Sequence, residues 1–285
     1  MKTLNSLFKG KLILVLFLSL FGCLWCYPTT DRYYELADSA DYYITKEKWD
    51  EAQNKIIEAM RLQPANFNNS LLFSNLGLVQ LQKKEYENAI QSFTLGLSIA
   101  PSSVTLLNNR AKAYLLNEQI KEALSDLNKS LSLDSIQEWP LQTLGFITFQ
   151  MGEISKAEQI FKNLTVKFPG NSMAHSGLAY IYEKKGDYYT ALSEYEKSIS
   201  INPSDEETIC SKIFLLIEMG KYEEARKEIN QYIFEYPDNA LLYLQRGYLH
   251  KLNYRLEEAK ADKKLAIEKG LDPLYVEKFI PDTSR

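Results

Sequence analysis

Residues 186–203 read GDYYTALSEYEKSISINP. A glycine turn opens the stretch. Tyr188, Ala191 and Tyr195 then fall at i, i+3 and i+7, the spacing of one face of a helix, and Pro203 marks the stop. Moving outward from Ala191, the same alanine recurs as Ala52, Ala89, Ala123, Ala157, Ala225 and Ala259, with successive spacings of 37, 34, 34, 34, 34 and 34. Four residues after it come Ile56, Phe93, Leu127, Phe161, Tyr195 and Ile229, and twelve after it Pro64, Pro101, Ser135, Pro169, Pro203 and Pro237. Three before it stands a large apolar or aromatic residue, from Trp49 to Leu256. Twelve before it a small residue recurs (Ala40, Gly77, Ala111, Gly145, Ala179, Gly247), with Ile213 as the exception.

A 34-residue period spans segments 33–66, 70–103, 104–137, 138–171, 172–205, 206–239 and 240–273, which cover 238 of the 285 residues, with Phe67-Asn68-Asn69 inserted after the first. Each segment has room for two antiparallel helices, neither of which can bury its apolar stripe alone, so the copies must stack. Small residues at repeat positions 8 and 20 let helix backbones approach, the larger residues beside them fill the space, and proline at position 32 ends the second helix. Lys263 and Leu271 replace an apolar residue and the proline in the last copy. That suits a terminal repeat with a solvated outer face. Leu274–Ile280 is expected to form a short helix over the final hydrophobic surface, within a cap and tail of residues 274–285.

Gln142-Thr-Leu-Gly-Phe, Gly186-Asp-Tyr-Tyr-Thr-Ala-Leu and Gly220-Lys-Tyr-Glu-Glu-Ala-Arg carry a resemblance to the tetratricopeptide repeat family. The resemblance implies an all-α, right-handed superhelical solenoid of seven antiparallel helix pairs. It also implies that positions 2, 5, 9 and 12 of each repeat line a concave groove. Carried over, position 2 gives Tyr34, Leu71, Thr105, Trp139, Met173, Glu207 and Leu241, position 9 gives Asp41, Leu78, Lys112, Phe146, Tyr180, Phe214 and Tyr248, and position 12 adds Leu81, Leu115, Phe149 and Ile217. The ten taken as groove candidates are Tyr34, Leu71, Trp139, Phe146, Phe149, Met173, Tyr180, Phe214, Leu241 and Tyr248. Such a groove favours an apolar or aromatic-bearing segment of a protein partner, with aromatic anchors as hot spots. Packing within the repeats is the competing use of the same rings. A glycan stacked on Trp139, Phe146, Tyr180 and Tyr248 is the alternative ligand. The family's carboxylate clamp for acidic chaperone tails is not expected, because Ala37, Asp41, Asn75, Thr105 and Asn109 supply one asparagine and no cation at the required positions.

The first 22 residues read differently. Lys2, Lys9 and Lys11 precede or begin an apolar run, Leu12 to Phe21, that is too short to span a bilayer comfortably and describes a secretory signal peptide. Leu20-Phe21-Gly22-Cys23 resembles the lipobox of bacterial lipoproteins, with Phe21 departing from the usual small or aliphatic residue. This resemblance implies cleavage before Cys23, lipidation of its thiol, a tether over residues 23–32 and a membrane-anchored, periplasm-facing protein of the bacterial envelope. Removing the three lysines takes the formal charge from −4 to −7.

Composition narrows the chemistry. A net negative chain lacks the electrostatic footprint of a nucleic-acid binder. Three cysteines are too few for a disulfide scaffold, and two histidines leave little for imidazole catalysis or a transition metal. No phosphate-binding glycine loop, nucleophile elbow or zinc-protease motif occurs. The expectation is a non-catalytic adaptor that uses no cofactor and binds an envelope protein or peptide segment.

Overall fold

The computed structural model describes residues 31–281, which form fifteen helices and no strand. The leader, Cys23 and all but the last two residues of the tether lie outside the described residues, as does the end of the tail. Two compact units divide the chain, one ending at Pro140 and the other starting at Leu141. The helices come in pairs: α1 (31–45) with α2 (Trp49–Leu62), α3 (Asn69–Gln82) with α4 (Tyr86–Ile99), and α5 (Val104–Leu116) with α6 (Ile120–Leu133). Then follow α7 (Glu138–Gln150) and α8 (Ile154–Lys167), α9 (Ser172–Lys184) and α10 (Tyr188–Ile201), and α11 (Glu206–Glu218) and α12 (Tyr222–Glu235). The last pair is α13 (Ala240–Leu252) and α14 (Leu256–Glu268), with α15 (Pro273–Glu277) behind it. Partners pack within a pair, as α9 on α10 does, and neighbouring pairs pack through successive helices, as α4 on α5 and α10 on α11 do. Within each unit, antiparallel helix pairs packed one on the next are the all-α architecture that the period demanded.

The turn inside every pair is the same device. The amide of residue 16 donates to the carbonyl of residue 11 at 2.8–3.1 Å, as Asp187 does to Tyr182, and the amide of residue 15 donates to residue 12, as Gly186 does to Glu183. This is a Schellman closure, which needs residue 15 in the left-handed region. Gly186 meets the need freely at φ 78°. Glu47, Lys84, Glu118 and Tyr254 adopt the same conformation at φ 56–61°, against a steric cost of about 1–2 kcal/mol each.

Between paired helices the approach is set where residue 8 faces residue 24. A Cβ added to Gly77 would lie 2.4 Å from the Phe93 ring, and one added to Gly145 2.8 Å from Phe161. Phe161 also fills the space beside Gly177 of the next repeat, where a Cβ would come within 2.9 Å. Both rings are fully buried. In the seventh repeat, Lys263 stands at position 24 and Ile280 supplies the missing bulk: its Cδ1 would lie 2.7 Å from a Cβ on Gly247. α15 brings Ile280 there. Asp272 caps that helix by accepting from the Leu274 and Tyr275 amides at 2.7 and 3.2 Å, Pro273 opens it, and Val276 and Ile280 are buried. The outer face of the terminal repeat is therefore not solvated at Lys263. That side chain is almost buried and is paired with Glu277 of α15.

Polar side chains are matched across the same helix interface. Arg110 donates to Asp126 through Nε and Nη2 at 2.7 and 2.8 Å, and Arg246 does so to Asp262 at 2.9 and 2.6 Å. Lys212 pairs with Glu228 at 2.7 Å. All three pairs link positions 7 and 23. The fifth repeat has Leu178 at position 7, and Glu194 is met instead by His175 Nδ1 and by Lys197, each at 2.6 Å. Glu158 of α8 accepts from Lys162 at 2.7 Å and from Lys185 at the end of α9, which ties two repeats together.

Two outcomes follow. Gly177→Ala forces the enclosed Phe161 ring to move and should lower stability by about 1–3 kcal/mol, read as a lower urea midpoint with helical content kept before the transition. The two lysine hydrogen bonds hold the Glu158 carboxyl down at about 2, against an ordinary 4.5. Its contribution is then complete above pH 4.5 and is lost as pH falls toward 2. Glu158→Gln should flatten that part of the stability–pH curve between pH 5 and 2 relative to wild type in acid titrations followed by circular dichroism.

Candidate functional site

A cleft of about 860 Å³ opens in the second unit where the first helices of repeats four, five and six come together. Its floor comes from α7 and α9. Phe146 presents its ring edge-on to Phe161 at 5.1 Å, and Phe149 meets Tyr180 at 5.2 Å, both T-shaped. Met173 stands in the first turn of α9, fixed by Asn171, whose Oδ1 accepts from the Ala174 amide at 2.7 Å. Phe146, Met173 and Tyr180 keep 36, 48 and 40% of their surface exposed in this otherwise packed region. Such rings are anchored on one side and open on the other.

The opposite wall is acidic. Asp205, Glu206 and Glu207 line the cleft where α10 gives way to α11. Asp205 caps α11, accepting from Thr208 N at 3.2 Å and Thr208 Oγ1 at 2.6 Å, and Glu206 accepts from Asn239 Nδ2 at 2.6 Å. Glu207 is exposed. Ser172, Ser176 and Ser211 add hydroxyls around the opening. An apolar floor beside carboxylates suits a ligand that carries an apolar side chain next to a cation. The repeat positions place Glu207 at position 2 of the groove but do not find Asp205 and Glu206 beside it. The run Ser204-Asp-Glu-Glu207 directly after Pro203 was the signal of the wall.

Of the ten groove residues read from the sequence, four meet in this cleft: Phe146, Phe149, Met173 and Tyr180. Phe214 and Tyr248 lie elsewhere. Both are half-buried, and Phe279 from beyond α15 packs on each with ring centroids 5.5 Å apart, while Lys251 Nζ donates to the Phe279 carbonyl at 2.8 Å. Leu241 is half-buried among the apolar residues of α11–α13. In the first unit Tyr34, Leu71 and Trp139 are exposed. Tyr34 OH accepts from Asn68 at 3.3 Å, and the one clamp-type asparagine, Asn75, donates to Asp41 at 2.9 Å.

Other reactive groups are accounted for. Cys210 is a free, buried thiol whose pKa burial pushes up to about 12. Glu183, at the end of α9, is half-buried: burial raises its carboxyl pKa, and Tyr195 OH donates to it at 2.9 Å. Among the described residues no group of three or more His, Cys, Asp or Glu is placed to hold a metal ion, and no helix is long and apolar enough to cross a membrane.

Comparison with known proteins agrees with the helix-pair fold. The tetratricopeptide repeat model matches residues 72–103, 104–137 and 174–205. A TPR repeat-containing protein of Methanocaldococcus jannaschii is 24% identical over 260 residues, 87% of this chain and 43% of its own length. Tetratricopeptide repeat protein 36 of Caenorhabditis elegans is 34% identical over 77 residues, 27% of this chain and 43% of its own. The chain thus spans less than half the length of these relatives. A crystal structure of a tetratricopeptide repeat protein from Parabacteroides merdae superposes with a TM-score of 0.68 at 27% identity, covering 88% of this chain and 98% of that one. The structure of pilF from Pseudomonas aeruginosa gives 0.63 at 20% identity over 74 and 96% of the two chains. YrrB, described as a TPR protein with an unusual peptide-binding site, gives 0.53 at 20% over 62 and 90%. The family model thus places tetratricopeptide repeats at residues 72–137 and 174–205, and the relatives and solved neighbours carry the same repeat.

Proposed function

We propose that this protein is a non-catalytic binding scaffold whose cleft between α7, α9 and α11 holds an extended segment of a protein partner. The observation that carries the reading is the convergence of Phe146, Phe149, Met173 and Tyr180 on one open cleft. The floor takes an aromatic or aliphatic side chain of the segment. Asp205, Glu206 and Glu207 favour a lysine or arginine next to it. The peptide-binding site named for YrrB supports this use of the fold.

The reading extends to location. Cleavage before Cys23 and lipidation of its thiol would hold the scaffold at a bacterial envelope membrane, facing the periplasm. The nine residues from Cys23 to Asp31 reach about 30 Å when extended, so the repeats would work close to the bilayer.

Panning random peptides on the full-length chain should enrich sequences with an aromatic or large aliphatic residue beside a basic one. A Met173→Ser, Tyr180→Ser variant should bind those peptides about tenfold more weakly or worse, because both side chains are partly exposed and their loss removes anchor area. Enriched peptides that bind the variant unchanged would place the site elsewhere. For location, Cys23→Ser should move the protein from the membrane to the soluble fraction. Membrane association unchanged by that substitution sinks the lipidation reading.

A further inference from the structure

A second, smaller pocket of the same unit has the opposite polarity. It encloses about 210 Å³ between α12 and α13, closed by the turn into α14. Arg226 and Asn230 face it from α12, Arg246 and His250 from α13, and Arg255 from the turn; Glu223 is the one carboxylate in its lining. Three guanidiniums around one small space are unexpected in a chain whose formal charge is −4.

The partners of these groups indicate what the pocket can take. Arg246 spends Nε and Nη2 on Asp262, which locks its planar fork and leaves Nη1 for another acceptor. His250 Nε2 lies 3.7 Å from Asp262 Oδ2, beyond hydrogen-bond distance, so the imidazole borders the pocket without being bound to that carboxylate. Arg226 is tied only to the exposed Glu223 one turn away, a solvated pair that a stronger acceptor can replace. Arg255 has no ion-pair partner among the described residues and stands exposed at the start of α14. The Asn253 amide is spent on the Leu249 carbonyl at 2.8 Å. The pocket is therefore rich in donors, and they arrive from three separate elements. A planar carboxylate presents its lone pairs in one plane. A tetrahedral oxyanion accepts from several directions at once and matches guanidinium forks bidentately.

We propose that this pocket is a binding site for a phosphoryl group, borne either by a soluble ligand or by a lipid headgroup. Arg246 is its preset floor, and Arg226 and Arg255 close on the anion. The site lies apart from the aromatic cleft and does not depend on what that cleft binds.

Calorimetric titration of the full-length chain with inorganic phosphate, at pH 7.5 and constant ionic strength, tests this. The expected result is one site per chain, weakened about tenfold or more by Arg226→Gln with Arg255→Gln, the scale of losing charge-assisted hydrogen bonds. Both side chains are exposed, so an unchanged thermal melt in phosphate-free buffer will show the variant folded. Acetate should bind at least about tenfold more weakly than phosphate. Co-sedimentation with phosphatidylcholine vesicles containing phosphatidic acid, compared with phosphatidylcholine alone, separates the sources. Retention that the double variant loses assigns the group to a lipid, and phosphate binding without such retention assigns it to a soluble ligand. No phosphate binding, equal binding by the variant, or acetate binding as tight as phosphate overturns the proposal.

Discussion

How closely the two helices of a repeat approach is decided by one contact, residue 8 against residue 24. Where residue 8 is Gly145, the Phe161 ring occupies the volume a methyl group would need, and the same ring reaches Gly177 in the following repeat. One buried aromatic thus sets the spacing within a repeat and the seating of the next. The consequence extends to the cleft. Phe146 leans edge-on against Phe161, so the open ring of the floor is braced by the ring that fixes the helix spacing. A floor held this way loses little side-chain freedom when a ligand covers it, which is the advantage of a preorganised surface.

Most of the fold is legible in the chain because the same few contacts recur every 34 residues. Alanine at position 20, its bulky neighbours and the closing proline name the helices almost to the residue: Tyr86, Ile120, Ile154, Tyr188, Tyr222 and Leu256 each open the second helix of their pair. The left-handed turn residue is less visible. Gly152, Gly186 and Gly220 announce it, while Glu47, Lys84, Glu118 and Tyr254 do not. There the Schellman hydrogen bonds and the packing of the flanking helices outweigh local preference. The buried pairs Arg110–Asp126 and Arg246–Asp262 were also legible in principle, since cation and carboxylate recur at positions 7 and 23. Apolar periodicity passes over them because it counts charged residues as surface. Each carboxylate is nearly buried, and removing one partner of such a pair leaves an uncompensated charge at a cost of about 3–5 kcal/mol.

The site is only half legible, for a reason the repeat itself explains. Positions 2, 9 and 12 identify side chains on the first helices, and four of them do meet in the cleft. What the period cannot describe is anything outside it. Phe279 lies beyond the last repeat, yet it packs on Phe214 and Tyr248, and Ile280 substitutes for the bulky residue that Lys263 is not. Four position-9 aromatics spaced by 34 therefore divide into two open ones and two covered ones. The acidic wall is a second case. Glu207 stands at position 2, but Asp205 and Glu206 beside it sit at the junction of two repeats, where the consensus leaves residues unconstrained and the particular chain chooses its own.

That division also limits what the proposed cleft can hold. Its floor begins at Phe146 on α7, crosses Tyr180 on α9 and ends at the α11 wall, because Phe279 covers the next aromatic along. Neighbouring packed helices stand about 8–10 Å apart, so three of them side by side span roughly 20 Å from axis to axis. An extended chain rises about 3.3 Å per residue and crosses that width in about six residues. Alternate side chains of an extended segment point the same way, so about three of the six face the floor. Phe146 and Tyr180 offer apolar seats for two of them, and the carboxylates of the far wall meet the third. The apolar and the basic contact then belong to one short segment, with the cation toward the end that meets α11.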